Sequence, residues 1–161
     1  ENYLPYEQMT VESKIFQLNH EKNYRSASLL CDSLLSKYPF SLLGNREKSF
    51  SCKKLNDFIG QQIYFNRFNK ISEACLFSGK GSDYSNSIFV LGPADGQNLI
   101  RYFLFQDIGE MGSGYSGDKY LHDILEMKFK DGKSVKLYFN INHAIENSTF
   151  AKELHKIQNN N

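Results

Sequence analysis

Two glycine-rich segments are the first places in this chain where chemistry could sit. Gly112-Ser113-Gly114-Tyr115-Ser116-Gly117 fits the spacing G-x-G-x-x-G of dinucleotide-binding loops. That loop works only when a helix follows it and offers its N-terminus to a pyrophosphate. Here an alternating, strand-like segment follows, so the run reads as a flexible connection. Gly79-Lys80-Gly81-Ser82 has the look of a phosphate loop. A helical pattern precedes it rather than follows it, so it reads as a helix C-cap and turn.

The titratable residues are scattered. His20, His122, His143 and His155 show neither H-x-H nor H-E-x-x-H spacing. His143 and Glu146 stand one helical turn apart, too little for a metal without distant help. Each histidine reads as structural or solvent-facing. Asp107, Glu110, Asp118 and Asp123 gather around the glycine-rich connection, where oxygen ligands could take Ca²⁺ weakly. Without EF-hand spacing they read as solvated loop residues. Cys31, Cys52 and Cys75 lie too far apart for a local metal motif. An odd count leaves at least one thiol free, and structural thiols are expected. Asn147-Ser148-Thr149 fits a glycosylation acceptor, relevant only in a eukaryotic secretory setting. No residue is assigned as catalytic, cofactor-binding or metal-ligating, and no cofactor is expected.

Composition narrows the classes further. The 161 residues carry a net charge of +1, and 10 of 19 basic and 8 of 18 acidic side chains fall in residues 1–78. Charge so evenly spread does not suit a nucleic-acid binder or a polybasic membrane patch. No apolar run approaches the roughly 20 residues that span a bilayer. The chain opens on Glu1 rather than Met. That reads as a trimmed or mature form from which any targeting segment has gone. Aromatic residues make up 14%, all Phe and Tyr with no Trp.

The elements that must position these residues follow from periodicity. Helices are predicted over 10–20, over 23–38 with the stripe Tyr24, Ala27, Leu30, Leu34, Tyr38, and over 41–54. A fourth starts near Asp57, carries Tyr64, Phe68, Ile71 and Cys75 on one face, and ends near Ser78-Gly79. The breaker-rich loop from Ser78 to Asn86 marks the border of two subregions, 1–78 helical and 79–161 mainly β, in a single domain 1–161. Strands are predicted at Ile88 to Leu91 and Leu99 to Gln106, with Gly109 to Asp118 as a connection. Residues 121–129 and 133–141 alternate about Asp131-Gly132, a hairpin. A two-residue turn would put apolar and charged residues on one face. A three-residue loop, Lys130-Asp131-Gly132, pairs Met127 with Val135 and Leu125 with Leu137. It needs a left-handed Gly132 in a G1 bulge. A short terminal helix with Phe150, Leu154 and Ile157 closes the chain.

Ala27, Cys31, Leu34 and Pro39 have the spacing of the second helix of a tetratricopeptide repeat. The next helix pair lacks the matching small residues, with Gln61 where Ala would stand. The chain also resembles a Bacteroidota family, domain of unknown function 4919. The resemblance rests on Ser78-Gly79-Lys80-Gly81, on Val90 nine residues later, and on Leu137-Tyr138-Phe139-Asn140-Ile141, and covers roughly residues 20–141. Lys80 stands where relatives commonly have Asp, and Phe89 where His is common. The resemblance implies an exported protein (periplasm, cell envelope or secreted) and no activity.

The expected fold is α+β: repeat-like antiparallel helix pairs packed on an antiparallel β-meander with a short terminal helix. The expected function is a non-catalytic protein-interaction module. Its helical groove or aromatic sheet face, with Tyr102, Tyr115, Tyr120 and Tyr138, would engage a protein partner, and no nucleic acid. The alternative is a small-ligand binder or hydrolase-type enzyme with a site between the two halves.

Overall fold

A computed structural model describes residues 4–117 and 120–146. The fold is α+β, with N-terminal helices followed by a four-stranded sheet. One compact unit is Glu7–Ala74, and the other joins Glu1–Tyr6 to Cys75–Asn161.

The helical unit contains α1 (Pro5–His20), α2 (Tyr24–Lys37), α3 (Leu42–Lys54) and most of α4 (Phe58–Phe77). Short turns separate them, as the breakers foretold. Ser41 caps α3 by accepting from the Gly44 N–H at 2.8 Å, and Asp57 accepts from the Gly60 N–H at 2.9 Å at the start of α4. The apolar stripe of α2 turns inward at Ala27, Cys31 and Leu34. Helix α3 is different. Leu42, Asn45, Glu47, Lys48, Ser49, Ser51 and Cys52 are all buried, so it is enclosed on most sides in spite of its polar sequence.

The second unit holds a mixed sheet in the order β1-β4-β3-β2, built from β1 (Ile88–Phe89), β2 (Asp107–Ser116), β3 (Tyr120–Lys128) and β4 (Ser134–Asn140). Strands β2, β3 and β4 form an antiparallel meander. The expectation of a wholly antiparallel sheet is corrected at one edge. Strand β1 runs parallel to β4, pairing Ile88 with Phe139, and is shorter than the Ile88-to-Leu91 run. The β3–β4 hairpin has the expected register, Met127 opposite Val135 and Leu125 opposite Leu137. Its loop is the three-residue bulged type. Gly132 N–H bonds the Phe129 carbonyl at 3.0 Å and Phe129 N–H bonds the Lys133 carbonyl at 2.8 Å. Gly132 has φ +86, a conformation other residues adopt only with strain.

Two further expectations fail. Leu99 to Gln106 is not a strand. The chain turns as α5 (Asp95–Asn98) and continues into a π-helical turn, Leu99–Phe103. Asp95, Gly96, Leu99 and Ile100 are buried at helical spacing, whereas a strand would bury alternate residues. The Asp95 carboxylate accepts from the Gly92 N–H at 2.7 Å and fixes the entry. Gly109 to Asp118 is not a connection either, because Gly109 to Ser116 belong to β2. Glycines weaken intrinsic strand preference, but ladder pairing to β3 overrides it. Helix α6 (Asn142–Glu146) follows β4 directly. The terminal helix expected around Phe150, Leu154 and Ile157 lies outside the described residues.

Candidate functional site

The helical unit carries the most developed polar constellation, and it begins with residues that the α1 pattern hides. Gln8, Glu12, Ile15 and Asn19 share one face of α1 and all are buried. Asn19 Nδ2 donates to the Glu47 carboxylate at 2.8 Å and to the Glu47 carbonyl at 3.1 Å. Its Oδ1 accepts from the Ser51 hydroxyl at 2.8 Å. Arg46 pairs with the other Glu47 oxygen. Two turns back along α1, Glu12 Oε1 accepts from Gln8 Nε2 at 2.7 Å and from the Ser41 hydroxyl at 2.5 Å. Lys48 donates to Ser28 Oγ at 2.8 Å and to Asp32 at 2.7 Å. Buried polar groups are tolerated when bonded in this way.

Above Asn19 and Glu47 the groove between α1 and α3 opens as a pocket of about 160 Å³, lined by Phe16, Asn19, His20, Arg46, Glu47 and Phe50. Phe16 and Phe50 are 43% and 37% exposed, so their rings form walls that solvent reaches. Tyr24 meets Phe50 edge-on at 6.0 Å, and the Lys54 ammonium lies 5.4 Å from the Phe50 ring. The pocket thus combines two aromatic walls, a buried carboxamide–carboxylate floor and a basic rim. That chemistry holds an apolar side chain and orients a neighbouring polar group.

Glu12 gives a pH prediction. Desolvation by burial raises its carboxyl above the usual range, while the bonds from Ser41 and Gln8 pull the other way. A carboxyl with a raised folded pKa binds its proton more tightly when folded. Its contribution is therefore greatest below the unfolded pKa and is lost as pH rises through the window between the two. Glu12→Gln should gain melting temperature relative to the parent as pH is raised from about 4 to about 7. Thermal melts across that range check it, and a parent–variant difference independent of pH would sink the assignment.

The other sequence candidates separate. His122 is buried, its Nδ1 2.9 Å from the Tyr120 carbonyl and its Nε2 3.1 Å from the Ser87 hydroxyl. A carbonyl only accepts, so Nδ1 carries a proton and donates it to Tyr120. The pair ties the border loop to β3. His143 Nε2 lies 2.9 Å from the Leu91 carbonyl, and its ring stacks on Phe89 at 4.7 Å. His20 is exposed at the pocket rim, and His155 lies outside the described residues, as do Asp118 and Asn147-Ser148-Thr149. Asp107 opens β2 while Asp123 bonds Ser113 at 3.1 Å, six residues or about 20 Å along the strand. The structure does not bring that pair of acids together.

Gly112 to Gly117 runs along β2 into the turn before β3, with no helix behind it. Gly79 and Gly81 follow α4, and Gly81 adopts φ +70. In the same loop Asp83 Oδ1 accepts from the Ser85 N–H, the Ser85 hydroxyl and the Asn86 N–H. The Ser85 hydroxyl, the Ser82 hydroxyl and the Asn86 side-chain amide hold its carboxyl well below the usual range, and the loop uses it as a turn former. All three cysteines are free and buried. Burial pushes the Cys31 and Cys75 thiols up to about 12 and raises Cys52. Such thiols are poor nucleophiles and metal ligands at neutral pH.

Of the polar residues lining this pocket, residue chemistry alone draws attention only to His20, as structural or solvent-facing, and misses Asn19, Arg46 and Glu47. A signal was present: Glu12 and Asn19 are seven apart and flank Ile15 on its own helical face.

Four helices followed by a small mixed sheet define an α+β protein with an unusually polar helical interior. The chain belongs to the family described as Domain of unknown function (DUF4919), whose model matches residues 1–149. No curated protein and no solved structure matches the chain. No helix among the described residues is long and apolar enough to cross a membrane.

Proposed function

We propose that the protein is a non-catalytic interaction module that takes a segment of a partner protein in the α1–α3 groove. The observation that carries this reading is the pocket between Phe16 and Phe50 over the Asn19–Glu47 floor. Its basic rim of Arg46, with His20 and Lys54 beside it, favours a segment with an apolar side chain next to a carboxylate. The helical unit is read as tetratricopeptide-like. Ala27, Cys31 and Leu34 provide the inward small and apolar positions of α2, and Pro39 follows the helix end. In that reading α1 and α3 are the first helices of successive pairs and form a groove for extended ligands.

The test is selection from a random peptide library, followed by titration of the recovered peptides. Binding should fall at least tenfold in Phe50→Ser and in Arg46→Ala. Selected peptides should share an apolar–acidic pair. Peptides that bind equally to parent and variants would remove the groove from consideration.

The family resemblance further supports a Bacteroidota source and export to the periplasm, envelope or exterior. Buried thiols with raised pKa values suit an oxidising compartment, because they offer little thiolate to react. Fractionation of cells expressing the complete gene distinguishes this from a cytoplasmic location.

A further inference from the structure

Strand β2 is an edge of the sheet, with no further strand beyond it among the described residues. Which of its groups face outward follows from the neighbouring ladder. Tyr138 N–H turns away from β3 to bond the Gly81 carbonyl at 3.0 Å, while Ile141 N–H bonds the Leu121 carbonyl at 3.3 Å. Odd-numbered residues of β3 therefore bond β4, and even-numbered ones turn to β2. Gly112 and Gly114 stand opposite Ile124 and His122, so they take the inward bonds. Met111, Ser113 and Tyr115 are left with their N–H and C=O groups pointing off the sheet.

Edge strands in natural proteins are normally short, bulged, or guarded by Lys or Pro. Strand β2 has ten residues, Asp107–Ser116, and contains no Lys, Arg or Pro. Its irregularity lies between Ile108 and Met111, which leaves Met111 to Ser116 in regular register. Met111 is 60% and Tyr115 63% exposed. They share a face of the sheet with buried Leu125 and Leu137, so the apolar face of the core runs out into solvent here.

We propose that β2 pairs with β2 of a second copy, antiparallel about a two-fold axis at Ser113, to make one continuous eight-stranded sheet. The strand is self-complementary in the one register that puts Ser113 opposite itself. Outward-facing groups then meet outward-facing groups. Met111 falls opposite Tyr115 on both sides of the axis, an apolar thioether–aromatic pair. Gly112 falls opposite Gly114, and Glu110 falls opposite Ser116, so no like charges are opposed. A two-fold axis makes each of these contacts twice. The partner is a second copy rather than an unrelated strand because this strand supplies both halves of every pair. The surface is distinct from the α1–α3 groove, and its test is independent of that reading.

Analytical ultracentrifugation of the full chain should show a concentration-dependent dimer. Ser113→Pro removes an outward N–H, together with the exposed Ser113 hydroxyl bond to Asp123, and should shift the protein to monomer with its circular dichroism unchanged; Ser113→Ala, which loses only the hydroxyl, should stay dimeric. Met111→Lys adds an edge charge without touching the backbone and should weaken dimerisation at least tenfold. Ser113→Cys should form an intermolecular disulfide on mild oxidation, since Cα atoms of a bonded antiparallel pair are about 5.5 Å apart. The parent, with its thiols buried, should not. A monomer at every concentration overturns the proposal and leaves the edge to an extended segment of another protein. A dimer that survives both Ser113→Pro and Met111→Lys overturns it as well, by placing the contact elsewhere.

Discussion

Phe139→Ala should destabilise the sheet unit by about 3–5 kcal/mol, the cost of emptying a fully buried aromatic site. Phe139 is 1% exposed on β4 and pairs with Asp123 on one side and Ile88 on the other. Its ring lies against the backbone of α5. A Cβ built on Gly96 would sit 2.9 Å from Phe139 Cγ, so no other residue fits there without displacing the ring. The side chain thus joins the sheet to the α5 turn, and nothing nearby can collapse into the space without moving both. The loss is comparable with much of a typical domain's stability. Urea unfolding followed by far-ultraviolet dichroism, with hydrogen exchange of β3 and β4 amides to localise the effect, would measure it. Phe77→Ala is the control. Phe77 is 94% exposed and its loss should stay within about 0.5 kcal/mol. Equal effects from the two substitutions would mean that the Phe139 packing described above is wrong.

Asn19→Leu should cost the helical unit about 2–4 kcal/mol, although leucine is a similar size and more apolar. The argument is one of satisfaction rather than volume. Asn19 supplies a donor to the buried Glu47 carboxylate and an acceptor to the Ser51 hydroxyl. Leucine takes a donor from the buried Glu47 carboxylate and leaves the buried Ser51 hydroxyl with the Glu47 carbonyl alone, at 3.0 Å. The diagnostic is non-additivity. Removing the carboxylate as well, in Asn19→Leu/Glu47→Met, should cost less than the sum of the single changes by about 0.5–3 kcal/mol. Additive costs in that cycle would show that the two side chains do not share a network.

These two sites also show what a reader of the sequence could and could not see. Phe139 was legible. It sits in a strictly alternating run, and alternation fixed both the β3–β4 register and the bulged loop at Gly132. Asn19 and Glu47 were not, because polar residues on an amphipathic helix are assigned to solvent by default. Only the folded arrangement shows that α3 is enclosed and that its polar side chains satisfy those of α1. The missed helix at Asp95 and the missed strand β2 have a common cause. Leu99 to Gln106 is apolar at nearly every position, so it carries no period. The Gly-rich β2 run carries too few side chains to show one. In both stretches tertiary pairing, to Phe139 and to β3, decided what local preference left open. The parallel pairing of β1 with β4 joins residues some fifty positions apart and leaves no mark in either segment.

The polar seam between α1 and α3 bears on recognition as well as on stability. Glu12–Ser41 and Asn19–Glu47 lie about two helical turns apart along the same seam. Sliding one helix past the other, or rotating it, would break both at once and leave two buried carboxylates short of donors. A smooth apolar seam would permit such slippage at little cost. Phe16 and Phe50 are therefore held at a set separation before any ligand arrives. Little conformational entropy remains to be lost in shaping the groove, and a ligand's contact energy goes almost wholly into affinity.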